Sequence, residues 1–142
     1  RGEIAILGIG MNTGELLVVR NGAPVQRFTT GETLGVRRLL ELVHEREGYS
    51  LAELDAQLRD ESLDVASVVP VWQSEVLGFV ERCWGNSFLR FHSIIVVGGG
   101  AKLLKDSLLV RFKGKAYVPD DPIMATARGL YKYMIMRARK QG

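Results

Sequence analysis

Two tight turns within the first thirty residues constrain the fold more than any other feature of this sequence. Asn21-Gly22 separates two apolar runs, and this dipeptide is a strong hairpin signal because a type I′ turn needs positive φ at both central positions. The glycine-rich stretch 10–14 separates an earlier pair of apolar runs. Two tight turns force antiparallel pairing, so the sequence predicts a three-stranded meander. Its predicted strands are Gly2–Ile9, Glu15–Arg20 and Pro24–Thr30.

After the meander, the spacing of the apolar residues becomes helical. We predict a helix that begins after Gly35 and ends at Gly48, and a second helix from Leu51 to about Arg59 with Ser50 as its cap. A polar loop at 60–67 follows, and Pro70 opens a longer helix. One stripe of that helix is predicted to pack in the core: Trp72, Val76, Phe79, Val80 and Cys83.

The run Ser93–Val97 is entirely apolar after its first residue, as in a central strand that is buried on both faces. Three glycines follow it. The remaining predicted elements are a helix from about Lys102 to Phe112, a short strand Ala116–Val118 and a last helix from about Ile123 to Arg139. The predicted class is therefore α/β, with a mixed sheet in which parallel strands extend the antiparallel meander and helices cover both faces.

Composition excludes several classes of site. A single cysteine, Cys83, excludes a disulfide framework and a multi-cysteine zinc site, and His44 and His92 lack the spacing of metal ligands. The net charge of +3 is too small to predict nucleic-acid binding. Cations dominate after Asp121, and we interpret them as complementing the dipole of the last helix, with a nucleic-acid contact as the alternative.

No apolar run approaches the ~18–20 residues of a membrane-spanning helix, so we expect no membrane partner. Arg1 leads at once into a strand-like run, so we interpret the chain as an excised domain.

The chemistry of the chain, if it has any, is expected at two glycine-rich turns, 10–14 and 98–100. Successive backbone N–H groups in a tight turn form a concavity that binds anions, and Thr13 adds a hydroxyl donor. The second turn leads into a helix, whose N-terminus favours negative or polar ligands. Neither turn has the spacing of a P-loop or of a dinucleotide-binding fold. Taken singly each turn is weak evidence, but the two together are more informative.

The segment IAILGIGMNTGELLVV resembles the second phosphate loop of the superfamily that contains actin, hexokinase and the heat-shock chaperones. SIIVVGGGAKLL resembles the adenosine loop of the same superfamily. GETLGVRRLLELV and PIMATARGLYKYM are similar to stretches of bacterial plasmid-segregation actins of the ParM/StbA type. The resemblance covers nearly the whole chain in the right order.

This resemblance implies that residues 1–142 are the second, ribonuclease-H-like lobe of an actin-like ATPase, with a small variable helical insertion at about 49–69. It implies ATP and Mg²⁺ as cofactors of the two-lobed protein, with ATP bound in a cleft against a first lobe of the same chain. The implied phosphate-binding residues are Gly10, Met11, Asn12 and Thr13. The implied adenosine-binding residues are Gly98, Gly99, Gly100 and Ala101.

It further implies self-assembly into filaments in the cytoplasm, in DNA segregation or cytoskeletal organisation, with nucleic acid contacted only indirectly. Two alternatives remain open: a catalytically degenerate lobe that serves as an interaction scaffold, and a small-molecule kinase of the same superfamily.

One position departs from the family pattern. An Asp that helps to hold Mg²⁺ and the attacking water is expected two residues before Gly10, and this chain has Gly8 there. Glu15 lies where a second acid is common and is the candidate for the metal- and water-positioning group. Since hydrolysis needs these charges, no catalytic residue is assigned, and the isolated domain is predicted to be inactive.

Overall fold

The computed structural model describes residues 3–112, 114–125 and 139. Its strands are β1 (Glu3–Ile9), β2 (Gly14–Arg20), β3 (Ala23–Pro24), β4 (Thr30–Glu32), β5 (Phe91–Val97) and β6 (Ala116–Tyr117). Its helices are α1 (Val36–Glu47), α2 (Leu51–Arg59), α3 (Val69–Trp84) and α4 (Ala101–Arg111). Two short 3₁₀ helices lie at Gln26–Phe28 and Gly85–Arg90.

The six described strands belong to one mixed sheet. Five of them follow the order β3-β2-β1-β5-β6, and the sixth, β4, pairs with β2, as β3 does. β1 pairs antiparallel with β2, and parallel with β5, which in turn pairs parallel with β6. The predicted class, an α/β fold with a mixed sheet of antiparallel and parallel strands flanked by helices, is confirmed.

The third strand of the predicted meander is wrong in its extent. Instead of one strand over Pro24–Thr30, β3 and β4 pair with opposite ends of β2, and a 3₁₀ turn separates them. The reason is Phe28, which the turn places in the core at 6% exposure, with its ring 6.3 Å from that of Phe91. Burial of a large aromatic side chain outweighs the few ladder hydrogen bonds that a continuous edge strand would add.

One face of the sheet forms the core together with the helices. Ala5, Leu7 and Ile9 of β1 are fully buried, and they share a cluster with buried residues of α1, α2, α3 and α4, including the predicted stripe residues Trp72 and Val76. Cys83, at the end of that stripe, is only half-buried. On the opposite face, the side chains are half-buried: Ile6, Leu17 and Ile95. Residues 122–125 are helical, and the rest of the helix predicted from about Ile123 to Arg139 lies outside the described residues, except for residue 139.

Two helix boundaries agree with the local signals in the sequence. Gly48 ends α1 in the left-handed conformation, with φ of 76°. Ser50 and Glu53 form a reciprocal capping box at the start of α2, as their spacing predicts. None of the described helices is long and apolar enough to cross a membrane.

Candidate functional site

The first glycine-rich loop connects β1 to β2 and is closed by its own backbone. The N–H of Gly10 donates to the carbonyl of Thr13 at 3.0 Å. The hydroxyl of Thr13 lies 3.4 Å from a carboxylate oxygen of Glu15, to which it donates. Thr13 and Glu15 are both exposed, so these polar groups are available at the surface of the loop.

The carbonyl groups of this loop are bonded to the start of α1. The N–H groups of residues 35, 36 and 37 donate to the carbonyls of Asn12, Gly10 and Met11, at 3.4, 2.9 and 2.7 Å respectively. Three successive loop carbonyls are therefore satisfied by one helix end. Among the described residues, the structure gives no hydrogen-bond partner to the N–H groups that follow them in the chain, those of Met11, Asn12 and Thr13.

The second glycine loop follows β5 and is packed tightly against the end of β1. Gly98 has φ of +94°, and a Cβ atom there would lie 2.3 Å from the carbonyl oxygen of Ile9. The N–H of Gly98 donates to Pro122 at 2.7 Å, and that of Gly100 donates to Ile9 at 3.1 Å. Two of the N–H groups in this loop are thus already bonded within the protein.

The structure explains the presence of glycine at two of the three positions in the second loop. A Cβ on Gly100 would lie 2.4 Å from the side chain of Ile9, so packing excludes a side chain there, as it does at Gly98. Gly99 is exposed, its φ is not positive, and a Cβ there would meet nothing within 4 Å. Ala101 is fully buried at the start of α4. Within the described residues, the fold gives no reason for glycine at position 99.

A cavity of about 670 Å³ adjoins both loops. The loops and the strand ends that lead into them border it with Gly8, Gly10, Thr13, Glu15 and Gly98. The sheet face below them contributes the apolar residues Ile6, Leu17, Ile95 and Val97. Of the other residues singled out in the sequence, Met11, Asn12 and Gly99 are exposed, whereas Gly100 and Ala101 are buried.

Gly8 and Glu15 are cross-strand partners in the register of β1 and β2. Partners in this register project from the same face of a sheet, and both residues border the cavity. Gly8 does not have a positive φ, and a Cβ there would lie 3.9 Å from Val97, an ordinary contact. The backbone therefore accepts a side chain at position 8. The described residues contain no group of three or more His, Cys, Asp or Glu that could hold a metal ion by itself.

Gly35 precedes α1, as predicted, but its contact with the first loop was not predicted. A Cβ on Gly35 would lie 2.5 Å and 2.6 Å from the carbonyl oxygens of Gly10 and Met11. One available signal was the composition of the first turn of α1, which contains Arg37 and Arg38 and no acidic residue. Helix starts usually favour acids, so two arginines there are unusual.

An ion pair joins α1 to α3. The guanidinium of Arg38 donates two hydrogen bonds to the carboxylate of Glu75, at 2.8 and 2.9 Å. The hydrogen bond from Arg38 lowers the pKa of Glu75 below its usual range, and the same bond raises the pKa of Arg38. The indole of Trp72 on α3 donates to the carbonyl of Leu34, next to Gly35. The start of α1 is therefore fixed to α3 at two points.

Solved structures with the same fold come from actin-like proteins. The archaeal actin homologue Ta0583 has a TM-score of 0.79 at 18% identity over 96% of this chain and 49% of its own. The fold is actin-like. The match extends to the same homologue in complex with ADP, with a TM-score of 0.76 at 17% identity over 96% of this chain and 50% of its own.

Two further matches are filaments. A 15-stranded ParM filament from Clostridium botulinum has a TM-score of 0.71 at 18% identity, over 87% of this chain and 43% of its own. An Alp12 filament has a TM-score of 0.72 at 16% identity, over 97% of this chain and 48% of its own. The chain thus spans at most half the length of these proteins. No protein-family model and no curated protein matches the sequence.

Proposed function

We propose that this chain is the ATP-binding second lobe of a bacterial, plasmid or phage actin-like protein that assembles into filaments. The observation that carries the proposal is that two glycine loops, residues 10–14 and 98–100, adjoin one cavity at the ends of β1 and β5 although they are far apart in sequence. Ligands of open α/β sheets bind outside the carboxyl ends of the strands, where these loops lie. The filament structures among the matches support self-assembly as the output.

The first loop is the candidate site for the β- and γ-phosphates. The N–H groups of Met11, Asn12 and Thr13, which have no partner in the part of the chain that the structure describes, are donors for phosphate oxygens, and Gly10 leaves room for close approach. The hydroxyl of Thr13 is a further donor, because it can rotate from Glu15 towards a ligand.

The second loop is the candidate site for the adenosine. Gly99 supplies the exposed backbone surface, with Gly98, Gly100 and Ala101 as the support behind it. The ADP complex of the archaeal homologue supports an adenine nucleotide as the ligand.

Mg²⁺ would accompany the nucleotide, and the donors of this chain fit it only in part. Mg²⁺ bound with phosphates keeps several waters and uses one or two carboxylates. Among the described residues that border the cavity, Glu15 carries a carboxylate, next to Gly8, which offers no ligand. When bound, the ion would neutralise phosphate charge, and Glu15 is the residue of this chain that would hold it.

The partners that we propose are a first lobe of the same chain and further copies in a filament, with nucleic acid contacted only indirectly. The location that we propose is the cytoplasm, where ATP is available, and the proposed role is in DNA segregation or cytoskeletal organisation. Since one lobe provides half of a cleft, the 142 residues alone should bind MgADP in the high-micromolar to millimolar range, where ~1 mM corresponds to about 4 kcal/mol.

Amide NMR of the 142-residue chain during a MgADP titration tests this proposal. We expect the largest shifts at residues 10–13 and 99. When tripolyphosphate, which contains no adenosine, replaces MgADP, the amide of residue 99 should not shift. Absence of shifts in both loops at 10 mM nucleotide, on the order of ten times the expected constant, would overturn the proposal. A sub-micromolar constant would contradict the single-lobe argument instead.

A second candidate function is a scaffold lobe that binds nucleotide without turnover. Gly8 favours it, because a carboxylate is missing where the resemblance places one. Phosphate release by the two-lobed protein separates the two functions: release with each round of assembly supports the ATPase, whereas stable assembly without release supports the scaffold.

A further inference from the structure

The N-terminus of α1 is bonded to the first glycine loop rather than being open to a ligand. A helix begins with several N–H groups that lack a partner within the helix. Here those of residues 35–37 donate to three successive carbonyls of the loop, at distances between 2.7 and 3.4 Å. An anion therefore has no direct access to these three donors.

The planarity of the peptide bond fixes what lies on the other side of these carbonyls. In a trans peptide, the carbonyl of one residue and the N–H of the next point in opposite directions. The peptide units that accept from α1 therefore direct the N–H groups of Met11, Asn12 and Thr13 away from the helix. These are the N–H groups without a partner among the described residues.

Each of these peptide units thus continues the alignment of dipoles in α1. A helix carries a partial positive charge at its N-terminus, and hydrogen bonds in a chain polarise one another. The N-terminus of the twelve-residue helix α1 lies against the loop, so the helix dipole acts on a ligand through one layer of peptide groups.

The glycine at position 35 fits this arrangement. Gly35 is required, because a Cβ atom would lie 2.5–2.7 Å from atoms of three successive loop residues. Arg37 and Arg38 also lie in this first turn, but acids outside it balance their charge, since Arg37 pairs with Glu41 and Arg38 pairs with Glu75.

We propose that α1 is a backbone relay: it orients and polarises the loop donors of residues 11–13, with Gly35 and the N–H of Val36 as positioning groups. The relay rests on the proposed function, because its ligand is the phosphate chain of the nucleotide. It assigns a role in ligand binding to residues that do not touch the ligand.

Val36→Pro is the variant that tests the relay. Proline removes the N–H that donates to Gly10, it is favoured at the first position of a helix, and Gly35 already has the extended backbone that precedes proline, with φ of −69° and ψ of −171°. Val36→Ala is the matched control, because it removes more of the buried side chain and keeps the N–H.

The readout is amide NMR with MgADP as the probe. We expect binding by Val36→Pro to be weakened by about two- to fivefold relative to Val36→Ala, with upfield shifts of the Met11 amide proton in the free protein. In the wild type, the amide protons of residues 35–37 should shift downfield as MgADP binds, because the bonds of the relay strengthen together.

The outcomes separate the relay from the proposed function. If the wild type shows no shifts at residues 11–13, the nucleotide site itself is overturned. If the wild type binds MgADP but residues 35–37 do not respond, or Val36→Pro binds as tightly as Val36→Ala, the relay is overturned. Should Val36→Pro fail to fold, the wild-type shifts at residues 35–37 still decide the question.

Discussion

The two glycine loops look alike in sequence, yet they are built on opposite principles. The first loop, residues 10–13, is bonded through its carbonyls to α1, and the N–H groups of residues 11–13 are left without partners among the described residues. In the second loop, packing against Ile9 excludes a side chain at Gly98 and Gly100, and the N–H groups of both donate to the protein. One loop presents donors, whereas the other presents a thin backbone surface.

This difference shows that a glycine in such a motif can serve close packing within the fold or leave the backbone exposed to a ligand. Sequence alone does not separate the two. Gly98 and Gly100 are needed for the strand and the helix to approach each other, whatever the loop binds. Among the described residues nothing imposes such a need on Gly99, which is why the proposed adenosine site is centred on it. Each substitution below tests one side of the comparison.

The largest expected effect is that of Gly98→Ala on stability. Alanine at φ of +94°, with its Cβ 2.3 Å from a backbone oxygen, requires β1 or the loop to move. We expect a loss of at least ~3 kcal/mol in the free energy of unfolding, measured by urea denaturation. Gly99→Ala is the matched control and should lose less than about 0.5 kcal/mol. Equal losses in the two variants would contradict the division between packing and ligand glycines.

The next effect is that of Gly8→Asp on turnover in the two-lobed protein. The backbone accepts a side chain at position 8, and the new carboxylate would project from the same face as Glu15. Positioning and charge stabilisation supply most of the acceleration in phosphoryl transfer, so we expect phosphate release to increase about tenfold or more. The stability should change little, because replacing a strand glycine offsets the repulsion between facing acids.

Thermal melting controls for folding in that experiment, and Gly8→Asn controls for size without charge. Wild-type turnover that already matches that of filament-forming ATPases would show that Gly8 is not a defect. Glu15 would then be the first residue to test for the role of the missing Asp.

Local signals were sufficient to predict most of the fold. The turns at residues 10–14 and Asn21-Gly22, the capping box at Ser50 and the apolar run of β5 each specify a structure within a few residues. The extent of the third strand was wrong, because the burial of Phe28 against Phe91 depends on a contact 63 residues away in the chain. Periodicity carries no information about such a contact.

The site was predicted in outline only. Both loops could be located from their glycines, but the dependence of the first loop on Gly35 could not, since it arises when β1 and α1 meet in space. The same is true of the pairing between Gly8 and Glu15, which follows from the register of two strands. The assignment of phosphate and adenosine residues stays a prediction.

A smaller effect is expected for Gly99→Val on nucleotide binding. If the ligand lies against the exposed backbone at position 99, a branched side chain displaces it, and the affinity for MgADP should decrease about three- to tenfold. The affinity for tripolyphosphate, which occupies the first loop alone, should not change. A calorimetric titration of the two-lobed protein with both ligands makes the comparison, and equal losses for the two would show that position 99 does not contact the adenosine.

The smallest effect tests how the first loop is supported. Glu75 accepts two hydrogen bonds from Arg38, and these bonds lower the pKa of Glu75 in the folded state. A lowered pKa means that the pair stabilises the fold above the unfolded-state pKa of about 4.3, and that this contribution is lost as the pH falls through the folded-state pKa. Because the pair is partly exposed, Glu75→Gln should cost only about 0.5–1 kcal/mol at pH 7.

Urea denaturation at pH 7 and pH 3 measures that cost, and the difference in unfolding free energy between wild type and variant should shrink at the lower pH.

Hydrogen exchange then tests whether the ion pair supports the loops. Loosening α1 should speed the exchange of amides 35–37, which hold the first loop, more than that of Gly98 and Gly100, which depend on direct packing. Glu81→Gln, which removes the ion pair of α3 with Arg111 on α4, is the control with the same chemistry at another contact. If both variants speed exchange equally at residues 35–37, the first loop is supported by the fold as a whole and not through α1.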